Sequence, residues 1–151
     1  MRTNSIDRGL LLLRVALGVV FVMHGGQKLF VMGPSTVAGF LASLGMPFPY
    51  LNAILVTGAE LGGGLALLAG AFTRVAGLLT AFTMAVALAT VHLANGFFLP
   101  AGFEYTFTLL VASLAVVMTG PGAYSVDARL GRGGRVERDV PAVASDYRHA
   151  A

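Results

Sequence analysis

The sequence contains no cysteine, and only 11% of its 151 residues are charged. The first absence excludes disulfide exchange, iron–sulfur clusters, covalently attached c-type haem and a thiolate nucleophile within this chain. The second leaves too few charges to cover a soluble surface, because 56% of the residues are hydrophobic. Composition and length therefore exclude a disordered chain, a collagen-like chain and a cytosolic enzyme, and they allow one domain at most.

The charges that are present avoid the middle of the chain. Residues 9–126 contain five: Arg14, Lys28, Glu60, Arg74 and Glu104. Long uncharged stretches between charged ends are typical of a multi-pass membrane protein, whose partner is the lipid bilayer. Nucleic acid is not an expected partner despite the net charge of +3, because no basic stripe interleaved with aromatic residues is present.

Four apolar segments predict membrane-spanning helices, at residues 9–31, 50–70, 74–96 and 104–119. A span needs about 20 residues, with about 17 near the lower limit, so the fourth is short. Between the first two, apolar residues recur at helical spacing over Thr36–Leu44, which predicts a short helix at the outer membrane interface. The predicted fold class is all-α, a four-helix transmembrane bundle over residues 9–126, with a flexible basic tail over residues 127–151.

The arginines predict the orientation of these helices. Arg2 and Arg8 precede the first span, Arg74 separates the second from the third, and further arginines follow the fourth. The other side has only Lys28. The positive-inside rule places both termini in the cytoplasm, in a plasma-membrane protein.

Small residues four apart predict where these helices pack together. Such pairs are Gly58 with Gly62, Ala59 with Gly63, and Ala85 with Ala89. Small side chains let helix backbones approach closely in lipid.

Ionisable and polar side chains converge on the outer half of the predicted bundle. Each span contributes at least one of them: His24, Lys28, Glu60, His92 and Glu104. A charged residue at membrane depth costs at least about 2.5–3.5 kcal/mol on insertion scales, so each needs a reason. One hypothesis is a ligand cavity open to the outer side, and the other is a structural network in which Glu60 pairs with a His or Lys.

Most of these residues also have a purely structural interpretation. Arg14 can snorkel inward or bind a carbonyl, and Lys28 can anchor the helix at the interface. His92 can bind a carbonyl near its helix end, and Glu104 can favour the first turn of its helix. Glu60 has no comparable explanation, so it is the first candidate for function.

The two histidines raise the alternatives of b-type haem and a His/Glu metal site. His24 and His92 have similar predicted depths, which bis-histidine ligation requires. Neither lies in a diagnostic spacing, and the Glu-x-x-His pair of di-iron bundles is absent from the sequence. We therefore assign no metal and expect no cofactor held by the chain itself.

Short motifs in a fixed order carry a resemblance to a known family. They are Leu13-Arg14-Val15-Ala16-Leu17-Gly18, His24-Gly25-Gly26-Gln27-Lys28, Leu44-Gly45-Met46-Pro47, Glu60-Leu61-Gly62-Gly63, Asn95-Gly96-Phe97-Phe98, Gly102-Phe103-Glu104-Tyr105 and Gly120-Pro121-Gly122-Ala123-Tyr124. Together they resemble the DoxX family of small membrane proteins over about residues 9–130. The resemblance implies a four-helix membrane bundle with both termini inside and an association with quinone-linked or other membrane oxidoreductase systems.

Our leading hypothesis is a redox-associated membrane protein that binds a quinone-like or other small amphipathic ligand in the outer half. Glu60 and His92 would transfer protons as catalytic residues, His24 and Lys28 would orient ligand oxygens, and Glu104 would complete the binding site. Electrons would come from an oxidoreductase partner. A non-catalytic subunit or assembly factor, with a homo-oligomer also allowed, is the alternative. A small transporter or channel is less favoured because the sequence shows no inverted repeat.

Overall fold

The computed structural model describes residues 5–131, and all regular structure in that range is helical. The prediction of an all-helical chain is confirmed. The helices are α1 (Ser5–Gly26), α2 (Pro34–Ser43), α3 (Pro49–Ala69), α4 (Thr73–Ala87), α5 (Glu104–Thr119) and α6 (Val126–Arg129). The predicted flexible tail falls, from residue 132 onward, outside the described residues.

Two helices, α1 and α4, continue beyond their α-helical part as π-helical or 3₁₀-helical turns. After α1 the chain makes π-helical turns over Gln27–Met32. After α4 it makes π-helical turns over Leu88–His92 and a 3₁₀ turn over Leu93–Asn95. π-Helical turns are rare and occur frequently at functional sites.

The long helices pack side by side, with α1 against α3, α3 against α4, α4 against α5 and α5 against α1. Two helical stretches, Pro49–Ala69 and Thr73–Asn95, are long and apolar enough to cross a membrane, and Glu104–Thr119 is a shorter apolar helix. The short α2 packs against α3 through Val37, Ala38 and Ala53. It begins with Pro34 in its first turn, where the missing N–H is not needed.

Polar side chains are buried between these helices while large apolar side chains face outward. Arg14, Thr80 and Ser113 are fully buried, whereas Phe82 and Met118 are 67% and 80% exposed. Apolar side chains such as Phe21 and Leu67 are buried as well, but so much large apolar surface facing outward is unusual for a protein in water. The outer surface is therefore suited to apolar surroundings.

Glycines set the distance between α1 and α3. A Cβ atom built on Gly25 would lie 2.5 Å from the backbone nitrogen of Leu61, and one on Gly18 would lie 2.9 Å from the carbonyl oxygen of Gly64. Only a residue without a side chain fits at such distances. The predicted packing pair Gly58 and Gly62 is wrong, because a Cβ on either would meet nothing within 4 Å. Those two glycines lie on the open side of α3.

A cluster that we call the Asp127 end joins the start of α1, the end of α3, the start of α4 and α6. The carboxylate of Asp127 accepts hydrogen bonds from the backbone N–H groups of Phe72 and Thr73, at 2.9 and 2.8 Å. Its own N–H donates to the carbonyl of Gly70 at 2.9 Å. The carboxylate thus caps the N-terminus of α4, in which Phe72 takes a left-handed conformation with φ of 47°.

Arg14 completes this cluster from the middle of α1. Its guanidinium donates to the carbonyls of Leu67, at 3.2 Å, and Tyr124. Of the two structural interpretations, binding to a carbonyl is thus observed, and snorkelling is wrong because the side chain is fully buried. A Cβ on Gly70 would lie 1.9 Å from this guanidinium, so α3 can end here only with glycine.

We expect Gly25→Ala to lower the free energy of unfolding by about 1–3 kcal/mol, because the added methyl group meets rigid backbone of α3. The matched control is Gly26→Ala, where nothing lies within 4 Å and alanine favours the helix by at most about 1 kcal/mol. Denaturant titration of both variants in detergent micelles measures the difference. Equal stability of the two variants would contradict the close approach of α1 and α3.

We expect Asp127→Asn to destabilise the fold by about 0.5–2 kcal/mol, because a charged acceptor of two backbone N–H groups is replaced by a weaker one. Arg129→Gln is the control, since Arg129 lies in the same short helix but is exposed. Thermal unfolding of the two variants in the same detergent gives the comparison. A loss of stability in Arg129→Gln as large as in Asp127→Asn would argue against the cap.

Candidate functional site

A cavity of about 140 Å³ lies among α1, α3, α4 and α5, away from the Asp127 end. Its walls are partly apolar, with Phe21, Met84 and Leu109 among them. Its polar and ionisable lining consists of His24, Lys28, Glu60, His92, Tyr105 and Thr106. This volume is close to that of a space that holds one six-membered ring, whereas drug-sized ligands need about 300 Å³ or more.

The structure brings four of the five predicted ligand-binding residues to this cavity. His24 and Lys28 come from the end of α1, Glu60 from the middle of α3, and His92 from the end of the α4 extension. They are far apart in sequence and meet because the helices alternate in direction. Ionisable groups from three different helices thus line one cavity, as the convergence predicted from the sequence requires.

Lys28 and Glu60 form an ion pair inside the cavity. The Glu60 side chain is 3% exposed and that of Lys28 is 24% exposed, so the pair is shielded on the carboxylate side and open on the ammonium side. The pair follows from the glycine contact described above, since Gly25 meets Leu61 one turn below Lys28 and next to Glu60. The pairing of Glu60 with a lysine, which the structural hypothesis predicts, is therefore observed. The two opposite charges cancel, so the pair gives the site no net charge.

Each histidine is held by a backbone carbonyl. Nδ1 of His24 lies 2.9 Å from the carbonyl oxygen of Val20, one turn earlier in α1. Nδ1 of His92 lies 2.9 Å from the carbonyl oxygen of Ala101, in the loop that leads to α5. His92 and Lys28 both sit on the π-helical turns, which change the direction of side chains relative to a regular α-helix.

Glu104 does not line the cavity. Its carboxylate accepts a hydrogen bond at 2.9 Å from the backbone N–H of Leu99, so it holds the loop before α5. The residues that face the cavity from α5 are Tyr105, Thr106 and Leu109. These three residues were not predicted from the sequence. Leu109 lies three residues after Thr106 and four after Tyr105, a spacing that places all of them on one side of a helix. The ring of Tyr105 lies 6.1 Å from that of His24, centroid to centroid, at 35°.

The described residues that line the cavity do not form a ligand set for a metal ion. Among residues 5–131, no group of three or more His, Asp or Glu side chains is placed to hold a metal ion. Arg74, another of the five charged residues in the middle of the chain, does not line the cavity and lies beside Gly120 near the Asp127 end. The cavity therefore offers an ion pair, two imidazoles, a phenol and an apolar wall to a molecule of about one ring.

Comparison with known proteins finds similarity over most of the chain. Residues 9–93 match the DoxX family. "Putative oxidoreductase CatD" of Bacillus subtilis (strain 168) is 35% identical over 82% of this chain and 88% of that protein. "Inner membrane protein YqjF" of Escherichia coli (strain K12) is 33% identical over 83% of this chain and 95% of that protein, and "Inner membrane protein YphA" of the same organism is 32% identical over 80% and 89%.

No solved structure matches the chain. The family match covers more than half of the sequence, and the relatives align over nearly their whole length. The resemblance inferred from the short motifs is confirmed. The chain belongs to the DoxX family of membrane proteins.

Proposed function

We propose that this protein is a four-span protein of the plasma membrane whose cavity binds a small oxygenated ring molecule of the quinone type in a membrane redox process. The observation that carries the proposal is the cavity, where apolar walls meet the Lys28–Glu60 pair and two histidines. An amphipathic ring needs such a combination of apolar contact and a few placed polar groups. The name of the Bacillus subtilis relative, which describes an oxidoreductase, supports the redox association.

The membrane arrangement rests on the apolar outer surface of the long helices. The spans would be α1 with its π-helical turns, α3, α4 with its extension, and α5. α5 is about 24 Å long at 1.5 Å per residue, less than the hydrocarbon thickness of about 30 Å. The apolar loop before it, with Phe98 77% and Leu99 56% exposed, can make up the difference in the outer leaflet.

The orientation follows from the basic residues of the two ends. Arg74 and Arg129 lie at or near the Asp127 end, and Arg8 lies in the first turn of α1 at the same end. The opposite end has Lys28, which is neutralised by Glu60. By the positive-inside rule the Asp127 end and both termini face the cytoplasm, and the cavity lies in the outer half.

The sequence has no tryptophan, so one introduced tryptophan reports on one position. We expect the fluorescence of Phe82→Trp, on the exposed side of α4, to be quenched several-fold more by lipids brominated in mid-chain than that of Leu130→Trp. The reason is that quenching requires contact with the acyl chain, and Leu130 follows α6 on the cytoplasmic side of the proposed arrangement. Equal quenching at the two positions would reject this arrangement.

Within the cavity, Lys28 would orient a ligand oxygen, while Glu60 and His92 would hold or move the proton. Lys28 is the partly exposed member of the ion pair, so its remaining N–H groups can reach a ligand. Glu60 can accept a proton only when the ligand or solvent reaches its shielded side. Electrons would come from a partner oxidoreductase, and this chain would supply the binding site and the proton path.

We expect Glu60→Gln to weaken the binding of a short-chain benzoquinone by about tenfold or more, because the variant loses the charge that positions Lys28. Asp7→Asn is the matched control, since it removes a carboxylate at the Asp127 end, where Asp7 accepts a hydrogen bond from the N–H of Ala123 at 2.9 Å. Isothermal titration calorimetry of the purified protein in nanodiscs measures both. If the unaltered protein binds no quinone at millimolar concentration, the proposed ligand is wrong.

The same ion pair supports a second candidate function, a non-catalytic membrane subunit or assembly factor. Lys28 and Glu60 neutralise each other and join α1 to α3, which is what a purely structural pair does. On that proposal the cavity is only the space around the pair. Partner binding would then depend on the outer faces of the helices and not on Glu60.

We expect Lys28→Met alone to cost about 3–5 kcal/mol of stability, because it leaves the Glu60 carboxylate buried without a partner. The double variant Lys28→Met with Glu60→Gln should recover most of the loss, since no charge remains. Thermal unfolding decides this point. A stable double variant that no longer binds quinone favours the ligand site, whereas one that retains the activity of the partner complex favours the structural role.

A further inference from the structure

The cavity has buried inner walls and one exposed edge. Phe21, Glu60 and Leu109 line it from three different helices and are buried. Of the described residues that line the cavity, only His24 and Tyr105 are exposed. They face each other across the outer ends of α1 and α5, with ring centroids 6.1 Å apart. We call this edge the α1–α5 mouth.

Exposed apolar side chains lie further toward the outer end than the mouth does. Phe30 follows His24 by six residues at the end of the first helical segment and is 79% exposed. Phe98 lies in the loop before Tyr105 and is 77% exposed. Large apolar side chains that are this exposed favour hydrocarbon over water. In the proposed membrane arrangement the acyl chains therefore reach as far as these two residues, and the mouth opens into lipid.

We propose that the ligand is a lipid-soluble ring with a long apolar tail, which binds with its ring in the cavity and its tail in the α1–α5 mouth. This inference rests on the proposed function and specifies the class of ligand and the position of its tail. The cavity of about 140 Å³ has room for about one ring, so a tail of more than a few carbons lies outside it. The mouth is the exposed edge through which such a tail can leave.

The two helices offer the tail a suitable surface inward of the mouth. Val20 of α1 and Ala112 of α5 are half-buried there and pack against the hydrophobic core. Thr108 is exposed and lies three residues after Tyr105, on the same side of α5. Its hydroxyl donates to the carbonyl of Glu104 at 2.7 Å, so the hydroxyl proton already has an acceptor. A tail along this seam meets apolar side chains and a satisfied hydroxyl group.

A small ring without a tail is the other ligand that the cavity could hold. It would reach the site from the outer aqueous side, past Lys28 and His92, which are half-buried. The mouth is flanked by more exposed residues and adjoins lipid, so the structure favours the tailed ring. The tailless ring becomes an outcome of the test.

Two introduced tryptophans locate the tail, since the chain has none of its own. Thr108→Trp places an indole beside the mouth, and Phe107→Trp is the matched control. Both positions are exposed and are neighbours on α5, so their depth is nearly equal, but their side chains point about 100° apart.

The ligand for this test is a benzoquinone with a decyl tail, titrated into the protein in nanodiscs with and without bromine on the tail. The difference between the two titrations isolates quenching by contact with the tail. We expect this difference to be at least about threefold larger for Thr108→Trp than for Phe107→Trp, because a tail held in the mouth touches only the first position.

Calorimetry on the same samples separates this inference from the proposed function. Saturable binding of the tailed quinone with equal bromine-dependent quenching at both positions would overturn the mouth and leave the proposed function intact. Saturable binding of the tailless benzoquinone alone would overturn the tail. Binding of neither compound would overturn both proposals.

The absence of cysteine allows a second test that does not depend on fluorescence. Thr108→Cys and Phe107→Cys are each modified with N-phenylmaleimide in detergent and then reconstituted into nanodiscs. We expect the adduct at position 108 to lower the affinity for the tailed quinone about tenfold and to leave that for the tailless ring nearly unchanged, because the adduct fills the space of the tail. The adduct at position 107 should change neither affinity. Equal losses at the two positions, or no loss at position 108, would contradict the mouth.

Discussion

The close approach of α1 and α3 is the constraint on which the site depends. At Gly18, Gly25 and Gly64 the two backbones are too near for any side chain. No hydrophobic effect between helices holds them together in lipid, so the dispersion contacts made possible by the missing side chains carry the association. The same approach brings Lys28 of the first helix against Glu60 of the third. A wider separation would leave a buried carboxylate without a counter-charge, which costs about 3–5 kcal/mol.

The two ends of the molecule hold their polar groups in different surroundings. At the Asp127 end Arg14 binds the carbonyls that end α3 and precede α6, and Asp127 caps α4. Among the described residues, Nε of Arg14 and Oγ1 of Thr73 are nevertheless buried there without a hydrogen-bond partner. In the cavity the Lys28–Glu60 pair is shielded on the carboxylate side and open on the ammonium side, and the carbonyl contacts of both histidines are exposed. A buried polar group without a partner is expensive, whereas solvent or a ligand can reach an exposed one.

The loop between α4 and α5 is held in place by two side chains, one on each side of it. Glu104 holds it through the N–H of Leu99, and His92 holds it through the carbonyl of Ala101. Irregular backbone at membrane depth is tolerated where its polar groups are satisfied by protein. The loop thereby fixes the ring of His92, so Glu104, which lies outside the cavity, helps to position a residue that lines it. This is why Glu104 stands out in the sequence without itself reaching the cavity.

The sequence by itself determined the class of the protein and the small set of residues to examine. Long apolar runs separated by glycine and proline predict helices because only a helix satisfies its backbone hydrogen bonds within a single segment in lipid. The rarity of ionisable residues in these runs makes each one conspicuous. Tertiary structure alone decided which of them meet. That Lys28 rather than a histidine pairs with Glu60, and that Gly25 rather than Gly58 faces a neighbour, depends on helix rotation. Periodicity defines a face, but the partner of that face is set by contacts between residues distant in sequence. The π-helical turns that carry Lys28 and His92 rotate those side chains further, and no local sequence pattern predicts these turns.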